Sequence, residues 1–505
     1  MKEEWKITMK KLSYETLKEL NYDGYLLEHA PERVLQFGEG NFLRAFVDYF
    51  IDMMNEKADF NSKVVLIQPI DGGDKIREFI NEQDGLYTLF LRGNEGGQKV
   101  NDKRVISSVS RCLNPYSDYE EYMACAGNPE LRYITCNTTE AGIQYDPACQ
   151  FKDRPASSYP GKLTQFLYAR YRAFGRESGK GFVILSCELI DNNGKELKKC
   201  VLQYARQWQL EEEFIHWIEE ENIFCSTLVD RIVTGYPRNE AAAICEELGY
   251  KDNIIDTGEV FGFWVIEGPE SLKEELPFEK AGLPVLITDD HKPYKQRKVR
   301  ILNGAHTSMV LGAYLAGQNI VRDCMKDDVI REFMNQTIYH EIIPTLTLPR
   351  QELTDFAKAV TDRFNNPFID HALLAISLNS TSKWKARVLP SLKGYVEIYG
   401  KLPRCITASL AFYIAFYQGV RLDEDGFTGL RGEEEYSIKD DRNILEFYNS
   451  HKDDDPRTLT SAVLSNTEFW GEDLTDISGL CEKVAADLTV IKEQGSYELM
   501  KQCLA

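Results

Sequence analysis

Arg33-Val-Leu-Gln-Phe37-Gly38-Glu39-Gly40-Asn41-Phe42-Leu43-Arg44-Ala45-Phe46 is the stretch on which the fold turns. Its first five residues read as a short buried strand, and a helical pattern runs from the end of the turn through Met54. Between them stands Gly38-x-Gly40. Two residues without side chains let the backbone approach a pyrophosphate, which the free N–H groups at the start of the next helix would hold. The third glycine of the usual dinucleotide fingerprint is Leu43 here, so the turn alone reads equally well as a plain strand-to-helix connection.

The surrounding chain supports the first reading. A second β-branched run, Lys63–Ile67, ends in Gln68-Pro-Ile-Asp71, where a strand end would meet the hydroxyls of an adenosine ribose. No arginine follows closely to receive a 2′-phosphate, and Lys75 is the nearest basic residue, so NAD is favoured over NADP. Further strand-like runs fall at Leu86–Leu91, Val105–Val109, Leu131–Cys136 and Phe182–Ser186, with helical patterns at Leu163–Phe174 and Glu196–Trp208. That alternation predicts a mostly parallel sheet with helices on both faces. The run Thr135-Cys-Asn137-Thr-Thr-Glu140 ends another strand at the expected cofactor crevice.

Beyond about residue 284 helical periodicity takes over, through Val299–Leu315, Gln351–Arg363, Arg387–Tyr399, Thr407–Gln418 and Leu474–Gln494. The expected architecture is therefore α/β. A Rossmann-like dinucleotide-binding domain over residues 1–283 precedes a mostly α-helical C-terminal part, read as an all-α substrate and catalytic domain over 284–505. The charged stretch from Asp423 to Asp455 reads as solvated helix and loop.

Composition narrows the partners. The chain has 505 residues, 43% hydrophobic and 28% charged, as an ordinary globular protein does, and a net charge of −21. Nucleic acid and anionic membranes need a basic face, so neither is an expected partner. An anionic ligand would need local cations working against the overall field. The N-terminus lacks the apolar core of a signal peptide, and the apolar run Ile406–Tyr417 is too short to cross a bilayer. The twelve cysteines contain no C-x-x-C pair and read as reduced thiols of a cytoplasmic protein.

The chemistry is carried by Lys298-Val-Arg-Ile-Leu-Asn303-Gly-Ala-His306. At roughly 100° per residue, Asn303 lies about 140° and His306 about 80° around from Lys298. Lys298 falls within an apolar stripe of Ile301, Leu302, Ala305 and Met309. Such a lysine loses hydration, which penalises its charged form and suits it to general acid/base work near neutral pH. Asn303 and His306 add donors for an oxygen on which charge develops. Spacing alone serves equally for a snorkelling lysine, an asparagine cap and a core histidine.

Together the motifs resemble the polyol-specific long-chain dehydrogenases, the family of the mannitol dehydrogenases. Those that carry the likeness are Phe37-Gly-Glu-Gly-Asn-Phe-Leu-Arg-Ala, Asn137-Thr-Thr-Glu-Ala-Gly, Leu228-Val-Asp-Arg-Ile, Trp264-Val-Ile-Glu267 and above all Lys298-x4-Asn303-x2-His306. The sequences Lys298 to Thr307 and Asn366-Pro-Phe-Ile-Asp-His371…Ser377-Leu-Asn379-Ser-Thr-Ser-Lys383 are most similar to the branch that reduces tagaturonate to altronate in hexuronate catabolism. The resemblance implies a metal-independent, NAD-linked enzyme with Lys298 as proton donor and acceptor and Asn303 and His306 on the substrate oxygen. It implies cofactor contacts from Phe37, Gly38, Gly40, Asn41, Phe42 and Arg44, then Gln68 and Asp71, then Asn137 and Glu140. Lys383 matches a substrate-binding lysine of the family.

Three positions depart from the mannitol pattern. Ser186-Cys-Glu-Leu189 replaces a stretch whose asparagine serves the oxyanion pocket, leaving Asn192 or Asn193 to supply that donor. Lys295 stands where relatives often carry glutamate, and Asn379-Ser-Thr-Ser replaces an Asp-Gly-Ser pattern. A sugar acid would need a fixed cation, and Lys383-Trp-Lys385-Ala-Arg387 offers three. A fructuronate, mannonate or mannitol-type substrate is the alternative, as is a non-catalytic NAD-binding sensor. A metal site at Asp289-Asp290-His291 is disfavoured, because adjacent side chains point apart.

Overall fold

The computed structural model describes residues 9–139, 141–175, 179–424 and 426–505. The chain divides into two compact units after His291, with Gly93–Lys99 grouped with the second.

In the first unit the strands are β1 (Glu32–Phe37), β2 (Lys63–Ile67), β3 (Tyr87–Glu95), β4 (Gln98–Ile106), β5 (Val109–Leu113), β6 (Tyr133–Cys136), β7 (Val183–Ser186), β8 (Ile223–Asp230), β9 (Asp256–Glu259), β10 (Phe263–Glu267) and β11 (Val285–Thr288). An eight-stranded sheet has the order β11-β10-β8-β7-β6-β1-β2-β5. From β5 to β8 every pairing is parallel, and β10 then runs antiparallel to β8. This is the doubly wound arrangement, whose strand order reverses beside β1 and opens a crevice at the strands' carboxyl ends. β2, β6 and β7 are buried along their whole length, as strands covered by helices on both faces must be. Even Lys63 is enclosed, its ammonium donating to the Ser107 carbonyl at 2.6 Å.

Two expectations are corrected here. The runs at Leu86–Leu91 and Val105–Val109 were expected in the parallel sheet, but β3 and β4, which ends at Ile106, form a smaller sheet with β9 in the order β4-β3-β9, and of these residues only Val109 enters the large sheet, as the start of β5. Residues 285–288, assigned above to the helical part, are the strand β11 and pair parallel with β10. Four residues are too few to show a period against helical neighbours.

The second unit is mostly helical. The helices Gly304–Leu315 and Arg404–Phe416 are buried almost throughout, and Gly312 permits their approach: a Cβ there would stand 2.6 Å from the Phe412 ring. The stretch read as solvated helix and loop contains part of an antiparallel sheet: β12 (Gly419–Leu422), β13 (Phe427–Arg431) and β14 (Glu434–Ile438). Its charge is the outward face of a period of two, and Phe427, Tyr436 and Ile438 point inward. Among the described residues, no helix is long and apolar enough to cross a membrane.

Candidate functional site

The first unit carries a candidate nucleotide site. Gly38 closes β1 with φ +126°, a conformation that a side chain resists, and donates to the Ile67 carbonyl at 2.8 Å. A Cβ on Gly38 would lie 3.0 Å from the Leu43 methyl, so Leu43 packs where the fingerprint's third glycine is missing. Gly40 differs. Its backbone is ordinary (φ −67°, ψ 164°), and nothing lies within 4 Å of where a Cβ would stand. It opens a helix that starts at Asn41 and widens into a π-turn over Arg44–Asp48. A bare backbone facing open space at a helix start fits a pyrophosphate.

The other residues expected along this turn divide by burial. The Phe37 ring is sealed between Tyr122 and Tyr159, which leaves only its backbone for a ligand. Arg44 is buried as a brace. Its guanidinium donates to the Ile254 carbonyl at 2.6 Å, the Glu39 carbonyl at 3.1 Å and the Asn41 amide oxygen at 2.7 Å. Asp256 adds a carboxylate at 3.7 Å. Asn41 is exposed, and Phe42 is half-buried and stacked on Phe46.

At the end of β2 the Gln68 side chain is enclosed, with its Oε1 left without a partner among the described residues. It is fully buried and donates to the Ile70 carbonyl at 2.8 Å, holding the loop that presents the exposed Asp71. Sequence reasoning missed two neighbours. Ile70 is 65% exposed, and Tyr116 is raised in pKa by its burial and then by the Asp71 carboxylate. Ile70, Asp71 and Tyr116 could together take an adenosine.

At the end of β6, Asn137 donates to the Cys187 carbonyl at 2.6 Å, and Glu188 accepts from both the backbone and hydroxyl of Thr138. Burial raises the Glu188 carboxyl. Glu140 lies outside the described residues. Asn193 is a buried peg, donating to the carbonyls of Ser186, Glu188 and Thr227, which excludes it as an oxyanion donor. Asn192, half-buried at φ +52°, makes no capping bond and stays in contention.

Asp290 and His291 do not point apart as expected. With Glu267 they bring ligand-type atoms within 4.8 Å, because β10 and β11 run side by side. The set suits a cation poorly, since Lys195 sits on one Glu267 oxygen at 2.6 Å and His291 on the other at 2.5 Å. Although burial opposes it, these two hydrogen bonds hold the Glu267 carboxyl below its usual range.

The second unit carries the lysine motif, and its helix is not regular. Lys298–Asn303 is a π-turn, and the Gly304 N–H reaches the Val299 carbonyl five residues back. Residues five apart are bonded around such a turn, so Asn303 lies nearer the Lys298 face than 100° per residue allows. Lys298 is half-buried beside the buried Ile301, Leu302, Ala305 and Met309. His306 stacks on Phe364 (ring centroids 4.0 Å apart, 14° between planes) and meets the edge of His371 at 5.7 Å. Its Nε2 is enclosed without a hydrogen-bond partner. Burial, then the charges of His371, Arg363 and Arg387, push its pKa well below the usual value, so the ring is neutral at pH 7.

Lys385 is separated from its sequence neighbours. In the helix Ser380–Arg387, Lys383 and Arg387 are four residues apart and share a face, whereas Lys385 falls on the other side. There its ammonium lies 3.2 Å from where a Cβ on Gly471 would be. Lys383 donates to the Ile376 carbonyl at 2.9 Å, and Arg387 reaches the Thr307 hydroxyl at 3.5 Å. Arg363, which no motif had singled out, joins this group through His306.

Residues 32–280 match the family model described as the mannitol dehydrogenase Rossmann domain, and residues 290–492 match the mannitol dehydrogenase C-terminal domain. Altronate oxidoreductases of Escherichia coli and Shigella flexneri are 48% identical to this chain over 492 residues, 96% of its length and 99% of theirs. Among solved structures, D-sorbitol dehydrogenase in substrate-free form superposes with a TM-score of 0.80 at 23% identity, covering 97% of this chain and all of that one. Pseudomonas fluorescens mannitol 2-dehydrogenase, in a ternary complex with NAD and D-mannitol, gives 0.68 at 23% identity, covering 98% and 99%. At that identity these two speak for the fold.

Proposed function

This chain belongs to the mannitol dehydrogenase family, and from that premise we propose that it is the NAD-linked oxidoreductase that interconverts D-tagaturonate and D-altronate. The observation that carries the choice of substrate is the 48% identity, over nearly the whole of both chains, to proteins named altronate oxidoreductase. Lys383 and Arg387, on one face of a helix whose Arg387 reaches the Thr307 hydroxyl beside His306, support it, because a substrate carboxylate needs such partners in a chain of net charge −21.

When bound, NADH supplies the hydride that reduces the ketone carbon. Lys298, as the ammonium, gives its proton to the ketone oxygen, and as the neutral amine it removes the alcohol proton in the reverse direction. Asn303 through its amide and neutral His306 through a ring N–H hold the oxygen as it gains charge. One such donor is typically worth about 3 kcal/mol of transition-state stabilisation. Gly38 and Gly40 leave the backbone bare for the pyrophosphate, and Asp71 accepts from the adenosine ribose. The proton comes from a lysine, so the reaction proceeds without a metal and EDTA leaves its rate unchanged.

The test is a panel of NADH with D-tagaturonate, D-fructuronate, D-tagatose and D-fructose. Tagaturonate is expected first, fructuronate well behind, and the neutral ketoses at least roughly tenfold below the best acid in kcat/KM. Fructose as the best substrate would move the enzyme to the neutral polyol branch. NADH bound but oxidised by none of the four would favour a nicotinamide sensor instead.

A further inference from the structure

We propose that Arg300 is the positioning residue of the lysine motif: gripped by Ser391 and Thr345, it holds the π-turn Lys298–Asn303 in the form that turns Asn303 toward Lys298. The proposal rests on the reading above, in which those two side chains serve one substrate oxygen.

Arg300 stands within the turn, two residues after Lys298, and is 8% exposed. Its Nε donates to the Ser391 hydroxyl at 2.5 Å and its Nη2 to the Thr345 hydroxyl at 2.6 Å. The two acceptors come from separate elements, the helix Leu389–Tyr399 and the short 3₁₀ turn Ile343–Thr345. Gly394 lets them meet. It lies three residues along the same helix face as Ser391, and a Cβ there would stand 3.2 Å from the Thr345 Cβ. The Thr345 hydroxyl is itself aimed: it donates to the Ile342 carbonyl at 2.7 Å, which leaves its lone pairs for the guanidinium.

A guanidinium so enclosed ordinarily pairs with a carboxylate. Here both partners are neutral. Burial alone lowers the Arg300 pKa, to about 10, so it stays charged at neutral pH, and among the described residues no carboxylate offsets it. A buried cation held by two hydroxyls loses heavily if either is given up, so it tolerates little movement. That intolerance is what the turn needs. A π-turn within a helix is rare, and side-chain contacts must hold it against the regular period. Relaxing this one would rotate the residues before it by roughly 100° about the axis relative to those after it. The Arg300 side chain would then swing off hydroxyls that belong to other elements. Ser391 also lies four residues beyond Arg387, so the same side chain ties the lysine turn to the segment that follows the Arg387 cation.

The experiment is a double-mutant cycle on the full-length enzyme, read as kcat with NADH and D-tagaturonate. Arg300→Lys keeps the charge but cannot span both hydroxyls. It should lower kcat about ten- to a hundredfold, as small misplacements at a reacting centre do, and leave the NADH dissociation constant unchanged. In a Lys298→Ala background the same change should cost about twofold or less, because the relation that Arg300 maintains has lost one of its members. Thr345→Val, which removes one acceptor and keeps the volume, should lower kcat in the same direction, and it carries the cycle if Arg300→Lys does not fold. An unchanged kcat, or an equal loss with and without Lys298, overturns the proposal and leaves Arg300 a packing residue, while the lysine mechanism stands. If Lys298→Ala itself keeps more than about a tenth of the wild-type activity, the lysine reading fails and the positioning role falls with it.

Discussion

Gly40→Ala separates what the first βα turn does for folding from what it does for the cofactor. Gly40 has φ −67° and ψ 164°, which alanine adopts without strain, and its new methyl would touch nothing within 4 Å. Replacing glycine at such a position removes freedom from the unfolded chain and stabilises by roughly 0.4–1 kcal/mol. The variant should therefore unfold at the same or slightly higher urea concentration. On the proposed reading the same methyl points into the space that the pyrophosphate needs, and it would push the phosphates off the backbone N–H groups. Hydrogen bonds to a charged group contribute about 1.5–3 kcal/mol each, so losing one weakens NADH roughly ten- to a hundredfold. Gly38→Ala supplies the contrast. At φ +126°, with the Leu43 methyl 3.0 Å away, it should lose stability as well as cofactor affinity. Titration of NADH fluorescence alongside urea denaturation reads both quantities. If Gly40→Ala binds NADH as tightly as the wild type, the cofactor does not lie over this turn and the nucleotide site must be moved.

Three further outcomes are expected. Lys298→Ala should cut turnover at least ~10³-fold while NADH affinity stays close to wild type, and retention of more than about a tenth of the activity would remove the lysine from the proton step. Asp71→Ala should weaken NADH by roughly 1–2 kcal/mol in the fluorescence titration, an equal affinity sending the ribose contact elsewhere. Asp48→Asn should change how stability depends on pH. Burial pushes this carboxyl from 3.8 up to about 8, so between those values the folded chain keeps a proton that the unfolded chain has released. Its contribution is thus complete below pH 3.8 and lost as pH rises through about 8, at up to ~1.4 kcal/mol per pH unit. Urea midpoints at pH 5 and pH 8 should lie closer together in the variant, and an unchanged gap would show that Asp48 does not set the slope.

The parts of the fold that were legible are those encoded by neighbours in the chain. The run from Arg33 to Phe46 declares a strand, a turn and a helix within one short segment, and the parallel core around β1 follows from repeating that unit. What escaped depends on contacts between distant residues or on a departure from the regular helical period. The charge on β13 and β14 concealed strands because only every second residue of a half-exposed sheet faces inward. That the Gln68 amide is buried and donates to the Ile70 carbonyl is likewise something no local pattern reveals.

The π-turn at Lys298–Asn303 is the instructive case for the site. A regular helix would separate Lys298 from Asn303 by about 140°, too far for both to serve one oxygen, so the motif could be recognised by its spacing but not explained by it. The wider turn brings Asn303 back toward the Lys298 face, which is the arrangement the proposed chemistry requires. The same reasoning, run the other way, corrects the cation cluster. Lys383, Lys385 and Arg387 are close in sequence, and a regular helix divides them, sending Lys385 toward Gly471. For a carboxylate seat the relevant distance is around the helix, and by that measure Lys383 and Arg387 belong together while Lys385 does not.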